Sequence, residues 1–264
     1  MMVELEVLKT NLKQLGLRRV EEIFEAEAKR AAKIKMSYTG YLSRLVEEEV
    51  LAKTERSVNA RIGMAKFPCL KTIEGFDFSF QPSVSELLIK ELAELTFLER
   101  AENIILVGPP GVGKTHLAIG FGLKVCAVRK RVLFTQASDL MDELVAALVA
   151  RGLSERLTGL SRLDLLIIDE LGYLPMDKHR ANLFFQLVSR RYEQGSVIIT
   201  SNKSFDRWGE IFGDEVIAGA VLDRLLHHSH IIAIQGASYR IKDKKTKLVD
   251  KSPVLEYSKE GENG

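Results

Sequence analysis

Leu5, Leu8, Leu12 and Leu15, then Leu42, Leu45 and Val46, recur at helical spacing among many Glu, Lys and Arg across residues 3–66. The spacing predicts three or four helices, broken at Gly16 and over residues 37–40, with Ser37 or Thr39 available as a cap before Tyr41. Over residues 67–82 the period changes to two. Phe76, Phe78 and Phe80 alternate between a glycine and a proline, the pattern of an extended connector. A helix is expected at about residues 83–99, and beyond it strand-like apolar runs at 104–107, 132–135, 165–168, 197–200 and 231–234 alternate with helical segments. That alternation specifies βαβ units, hence a mostly parallel sheet with helices on both faces and ligands at the carboxyl ends of its strands. The expected architecture is α/β: a small all-helical domain over residues 1–70, a parallel-sheet domain over 71–250, and a polar tail over 251–264 that is expected to be disordered.

The run at 104–107 leads into Gly108, Pro109, Pro110, Gly111, Val112, Gly113, Lys114 and Thr115, and then into a helical segment opening with His116. In this strand, loop and helix context, G-x-x-x-x-G-K-T is a phosphate-binding loop. Its glycines let successive amides turn toward phosphate oxygens, and the helix N-terminus adds its own amides and dipole. Lys114 supplies charge to the β and γ phosphates of ATP, and Thr115 a hydroxyl to Mg²⁺. The run at 165–168 ends in Asp169 and Glu170. Alone, this is a buried strand meeting a solvated turn. Beside a phosphate loop, Asp169 is placed to hold Mg²⁺ and its waters, and Glu170 to take a proton from the attacking water.

The run at 197–200 ends in Ser201 and Asn202, where Asn202 is either an ordinary turn residue or a group that orients water or meets the γ-phosphate. Arg224, after Asp223 on an amphipathic segment, is either a structural ion pair or a guanidinium that stabilises developing charge from a neighbouring subunit. The three phenylalanines either pack on a sheet edge or lend one ring to the border of an adenine pocket. His227, His228 and His230 have no carboxylate or cysteine pattern close by in the chain, so no metal site is expected there.

Composition adds limits. With 46% hydrophobic and 28% charged residues, the chain is neither disordered nor fibrous, and a net charge of +2 says nothing about nucleic acid. Basic surface must be sought locally. Residues 1–70 hold 13 Lys and Arg against 10 Asp and Glu, with Arg18, Arg19, Lys29, Arg30, Lys33 and Lys35 concentrating the charge. Such a cluster is either a solvated helix face or a footprint of phosphate contact, and the runs at 129–131 and 242–247 share the ambiguity. The two cysteines, Cys69 and Cys126, make neither a disulfide framework nor a metal site, which suits a reducing cytoplasm. Acidic residues precede any apolar run, and no stretch approaches the roughly 18 apolar residues of a membrane span, so neither signal peptide nor span is expected.

Taken together, GPPGVGKTHLA, LLIIDELGYLP, VIITSNKSFDRW, AVLDRLLHHS and GASYR resemble the AAA+ ATPases of the initiator and helicase-loader branch. RYEQGSVIITSN at 191–202 and LDRLLHH at 222–228 narrow the resemblance to the IstB family, ATP-binding accessory proteins of bacterial insertion-sequence transposition, over about residues 10–245. The resemblance implies a P-loop AAA+ domain that hydrolyses ATP with Mg²⁺. It casts Asn202 as the sensor-1 residue, Arg224 as the arginine finger acting on a neighbour's ATP, and Arg240 as a sensor-2 residue. Only about 40 residues follow Arg224, too few for the separate helical lid of many relatives. The stretch at 138–160 is similar to the extra helices with which initiators touch DNA, which makes Arg151 and Arg156 candidate contacts. The implied partners are double-stranded target DNA, a cognate transposase, and further copies of the chain in a homo-oligomer with ATP sites at its interfaces. A DnaC-type helicase loader, whose N-terminal helices would bind a hexameric helicase, shares nearly the same ATPase motifs. A metabolic P-loop kinase would need a substrate lid and acceptor site that the sequence does not display.

Overall fold

A computed structural model describes residues 2–240; the expected tail at 251–264, the last stretch of the sheet domain at 241–250 and the basic run at 242–247 lie outside the described residues. The chain falls into two units, residues 1–64 and 65–264.

The first unit contains three helices, α1 (Met2–Gln14), α2 (Arg18–Lys33) and α3 (Tyr38–Met64). Gly16, at φ +69°, turns the chain between α1 and α2, and the Ser37 hydroxyl accepts the Gly40 N–H at 3.1 Å to cap α3. The α2 N-terminus has no local side-chain cap. Glu49, reaching from α3 and almost fully buried, accepts the N–H groups of Arg19 at 2.7 Å and Val20 at 3.0 Å. Burial opposes its ionisation, but those two amides and Arg56 outweigh it and hold the carboxyl below its ordinary pKa. Leu12, Val20, Phe24 and Leu45 form the core, while Leu8, Leu15, Leu42 and Val46 of the expected apolar stripe are exposed.

In the second unit the apolar runs form five parallel strands, the inner three buried on both faces and the two edge strands partly exposed: β1 (Asn103–Val107), β2 (Val132–Gln136), β3 (Leu165–Leu171), β4 (Ser196–Ser201) and β5 (Ser229–Ala233). Their order is β2-β3-β4-β1-β5. β1 lies between β4 and β5, so the chain leaving β1 must cross over, and the crevice at its carboxyl end is where such sheets bind ligands. The crossovers are α6 (Lys114–Ala127), α7 (Ala137–Val149), α8 (Leu153–Ser161) and α9 (Lys178–Arg191), with α10 (Trp208–Phe212) and α11 (Glu215–Leu226) ahead of β5.

Several expectations need correction. The helix expected at 83–99 is two, α4 (Glu86–Ala93) and α5 (Thr96–Glu99), because Leu95 adopts φ +68° and breaks the hydrogen-bond ladder. The stretch at 138–160 is likewise divided between α7 and α8, at Arg151 with φ +58°. Within the connector expected to be extended over residues 67–82, the chain from Thr72 onward is instead a series of turns, closed by Gly75 N–H to Thr72 O and Gln81 N–H to Asp77 O. β3 does not stop at residue 168. It pairs Ile168 with Ile199 and Leu171 with Ser201, so one extra residue bulges between them, and Glu170 takes φ +60°. Among the described residues no helix is long and apolar enough to cross a membrane; Cys69 is exposed and Cys126 buried.

Candidate functional site

The loop leaving β1 is built on left-handed glycines. Gly111 has φ +82° and Gly113, the residue before α6, has φ +103°, a conformation that a side chain would strain. A Cβ on Gly113 would also meet the Phe76 ring at 2.6 Å, so Phe76, buried and 5.3 Å from the His116 ring, fixes the back of the loop. Lys114 Nζ donates to the carbonyls of Gly108 at 2.7 Å and Pro109 at 2.8 Å. Burial lowers the Lys114 pKa, Asp169 and Glu170 oppose the shift, and Arg240 adds to it. An ammonium desolvated in this way gains from an anion placed within its reach. His116 donates from Nε2 to the Thr72 carbonyl at 2.8 Å, and burial lowers its pKa.

The acid pair is organised from β4. Thr200, buried in that strand, donates its hydroxyl to Asp169 Oδ1 at 2.6 Å and accepts the Glu170 N–H at 2.9 Å. Thr115 donates to the same carboxylate at 2.9 Å. Asp169 is therefore buried and fully engaged, whereas the bulge turns the Glu170 side chain outward into the cleft. Thr200 carried no signal of its own in the sequence. It stands two residues before Asn202, which follows the end of β4, and both residues line the cleft.

These groups border one cleft of about 640 Å³, a size suited to a nucleotide. Pro110, Gly111, Gly113, Lys114, Thr115 and His116 line it from the loop side, Glu170, Thr200 and Asn202 from the strand ends, and Tyr239 and Arg240 from beyond β5. Ile119 and Tyr173 also line it, and Cys69, Lys71, Gly75 and Asp77 complete the wall, from a segment whose turns sequence periodicity did not show. Gly108 and Pro109 contribute the carbonyls that hold Lys114. Val112 is buried and points into the core, so only its backbone is available to a ligand.

The family profile described as IstB-like ATP binding protein matches residues 10–247. The chain belongs to that family. A Pseudomonas aeruginosa protein named for insertion sequence IS21 and for ATP binding is 47% identical over 245 residues, spanning 92% of this chain and 91% of that one. A Geobacillus stearothermophilus protein named for insertion sequence IS5376 is 46% identical over 232 residues, spanning 88% and 92%. Among solved structures, AMPPCP-bound DnaA from Aquifex aeolicus superposes with a TM-score of 0.55 at 21% identity, over 74% of this chain and 58% of that one. The DnaC helicase loader gives 0.50 at 22%, over 57% and 88%. The fold of the IstB-like chain is thus the P-loop AAA+ fold expected from its motifs.

Arg224 of this IstB-like protein lies elsewhere. It lines a small pocket with Asn103, Arg191, Tyr192, Glu193 and His228, and none of these borders the nucleotide cleft. The ion-pair alternative for Arg224 is not what the structure shows: among the described residues it bonds the Ala220 carbonyl at 3.1 Å and stacks 4.6 Å from the Phe185 ring centroid, with no carboxylate partner. The basic candidates divide in the same manner. Arg19 is engaged by Glu22 and Glu48, and Arg156 by Glu143 at 2.7 Å. Arg18, Arg30, Lys33 and Arg151 are exposed, Arg30 having only a distant partner in Glu27 at 3.7 Å. For the histidines the structure supplies what the neighbouring sequence lacks, since it brings the Glu193 carboxylate to His227 and His228, while His230 pairs with Glu102 at 2.8 Å.

Proposed function

We propose that this protein is an ATP-hydrolysing accessory protein of insertion-sequence transposition. It assembles head to tail on double-stranded target DNA, hydrolyses ATP with Mg²⁺ at sites shared between neighbouring copies, and recruits or stimulates a transposase. The observation that carries this reading is a divided site: Lys114, Thr115, Glu170 and Asn202 share one cleft, while Arg224 of the same chain stands outside it. Near full-length likeness to insertion-sequence proteins favours transposition over helicase loading, since the DnaC likeness covers 57% of the chain and concerns the fold alone.

In this mechanism Lys114 leaves the Gly108 and Pro109 carbonyls for the phosphates, a short swing that replaces neutral acceptors with charged ones. The Thr115 hydroxyl and Asp169 carboxylate, 2.9 Å apart, are hard oxygen donors of the kind that suits Mg²⁺. Held by these two residues, the ion would supply positive charge that offsets the charge of the phosphates. Glu170 takes the proton of the attacking water, Asn202 orients that water or the γ-phosphate, and Arg240 adds positive charge at the cleft wall. Arg224 enters from the neighbouring copy.

Thr200 acts as a positioning residue. Thr200→Val leaves Asp169 short of one donor and the Glu170 N–H without its acceptor, and should lower kcat by about 10- to 100-fold with little change in the KM for ATP. Thr200→Ser should restore the rate. A wild-type kcat in Thr200→Val, measured by steady-state phosphate release, would dismiss the assignment.

DNA affinity is expected from Lys29, Arg30 and Lys33, which crowd the exposed end of α2. Replacing all three with Gln should flatten the plot of log affinity against log salt by up to about 0.9 for each phosphate that is no longer neutralised. An unchanged slope would move the DNA-binding surface to the ATPase unit, with Arg151 first. The reading as a whole is tested by electron microscopy of the full chain with ATP and a random-sequence duplex. Extended assemblies on DNA support it; tight binding only to a replicative helicase, with none to duplex, would replace it with helicase loading.

A further inference from the structure

At the edge of the sheet opposite the nucleotide cleft, the turn after α9 and the end of α11 bring together two imidazoles and a carboxylate. We propose that Glu193, His227 and His228 form a binding site for one divalent ion of the zinc class. One ligand atom from each residue lies within 4.8 Å of the other two, and all three side chains are exposed. The two rings stand 4.2 Å apart, and His228 Nε2 is 3.8 Å from Glu193 Oε1. A zinc ion takes nitrogen and carboxylate ligands at about 2.0–2.2 Å, so its ligands end up roughly 3.2–3.6 Å from one another. Closing the remaining gap needs only rotamer adjustment of exposed side chains, with no movement of the core.

The surroundings fit the same ligand. The Tyr192 hydroxyl sits 3.0 Å from His227 Nδ1. When Nδ1–H donates to it, Nε2 is left with its lone pair for a metal, the usual arrangement of an outer partner that orients a ligating histidine. The buried Arg191 guanidinium is bonded to the carbonyls of Leu160, Leu163 and Ser196. Two neutral imidazoles with one carboxylate suit zinc, cobalt, nickel or copper, whereas magnesium and calcium ask for oxygen throughout. None of the three residues borders the nucleotide cleft, so the site is distinct from the Thr115 and Asp169 pair. An ion held there ties the ends of α9 and α11 together one helical turn from Arg224.

The test uses the tag-free full chain in a Cys69→Ser background, which removes the exposed thiol. Zinc chloride is titrated against a chromophoric indicator. One equivalent should bind, weakened at least tenfold by the His227→Ala/His228→Ala pair and by roughly 10- to 100-fold in Tyr192→Phe if that hydroxyl orients the ligand. Thermal melts should rise with zinc only where the ligands are intact, and the metal-free melts establish that each variant is folded. Absence of zinc binding in the parent protein, or equal binding by the folded double-histidine variant, would overturn the site.

Discussion

Replacing Arg224 with Ala should lower steady-state ATP turnover by about 10³- to 10⁵-fold while leaving ATP binding intact, the range found where a guanidinium stabilises the transition-state charge of phosphoryl transfer. The physical ground is distance. Arg224 bonds Ala220 and stacks on Phe185, and it is absent from the wall of its own chain's cleft. On the proposed reading it acts on the γ-phosphate of a neighbouring copy, and repetition of such an interface would generate a ring or a helical filament. Turnover should rise cooperatively with protein concentration and with DNA that gathers copies together. A mixing experiment separates this from a purely structural role. Lys114→Ala lacks the ammonium that offsets the phosphates but keeps Arg224, so in one mixed orientation it presents an intact guanidinium to the intact cleft of Arg224→Ala. Activity recovered on mixing the two inactive variants supports action across the interface. A mixture that co-assembles and stays inactive would return Arg224 to its packing against Phe185.

Glu170→Gln should reduce turnover by about 10²- to 10⁴-fold, the contribution of a positioned general base, with ATP and Mg²⁺ still bound. The substitution keeps size and hydrogen-bonding reach, and Gln retains the backbone N–H that donates to Thr200. Proton acceptance is removed, together with the negative charge that acts on Lys114. ATP-bound assemblies on duplex DNA should in consequence outlast those of the parent protein. Nucleotide retention by filter binding and single-turnover hydrolysis read the two effects separately. If chemistry in the single turnover runs at the parental rate, the base lies elsewhere in the cleft.

The sequence alone determined the parts whose physics is local. Runs such as 104–107 and 165–168 are strands because a segment with no polar alternation must be covered on both faces, and five of them separated by helical lengths leave a parallel sheet as the simplest solution. The phosphate loop is equally legible, since its glycines, Lys114 and Thr115 act within eight consecutive residues whose spacing is itself the geometry. Asp169, Glu170 and Asn202 were readable as strand ends because such sheets gather those ends at one edge.

Only the tertiary structure decided what depends on register and on chain segments meeting far apart in sequence. Thr200 became the bridge of the acid pair because β4 pairs with β3 in one register and not its neighbour, and a one-residue slip would turn it to the other face. The bulge that gives Glu170 its left-handed backbone arises from that same pairing. Glu49 caps a helix beginning some 30 residues earlier, and Glu193 reaches histidines more than 30 residues later. Tyr239 and Arg240 arrive at the cleft only because β5 lies beside β1. Periodicity tells a segment which of its faces is apolar. Which distant side chain meets a given polar atom is decided by the packing of whole elements, and that information is carried by no single stretch of the chain.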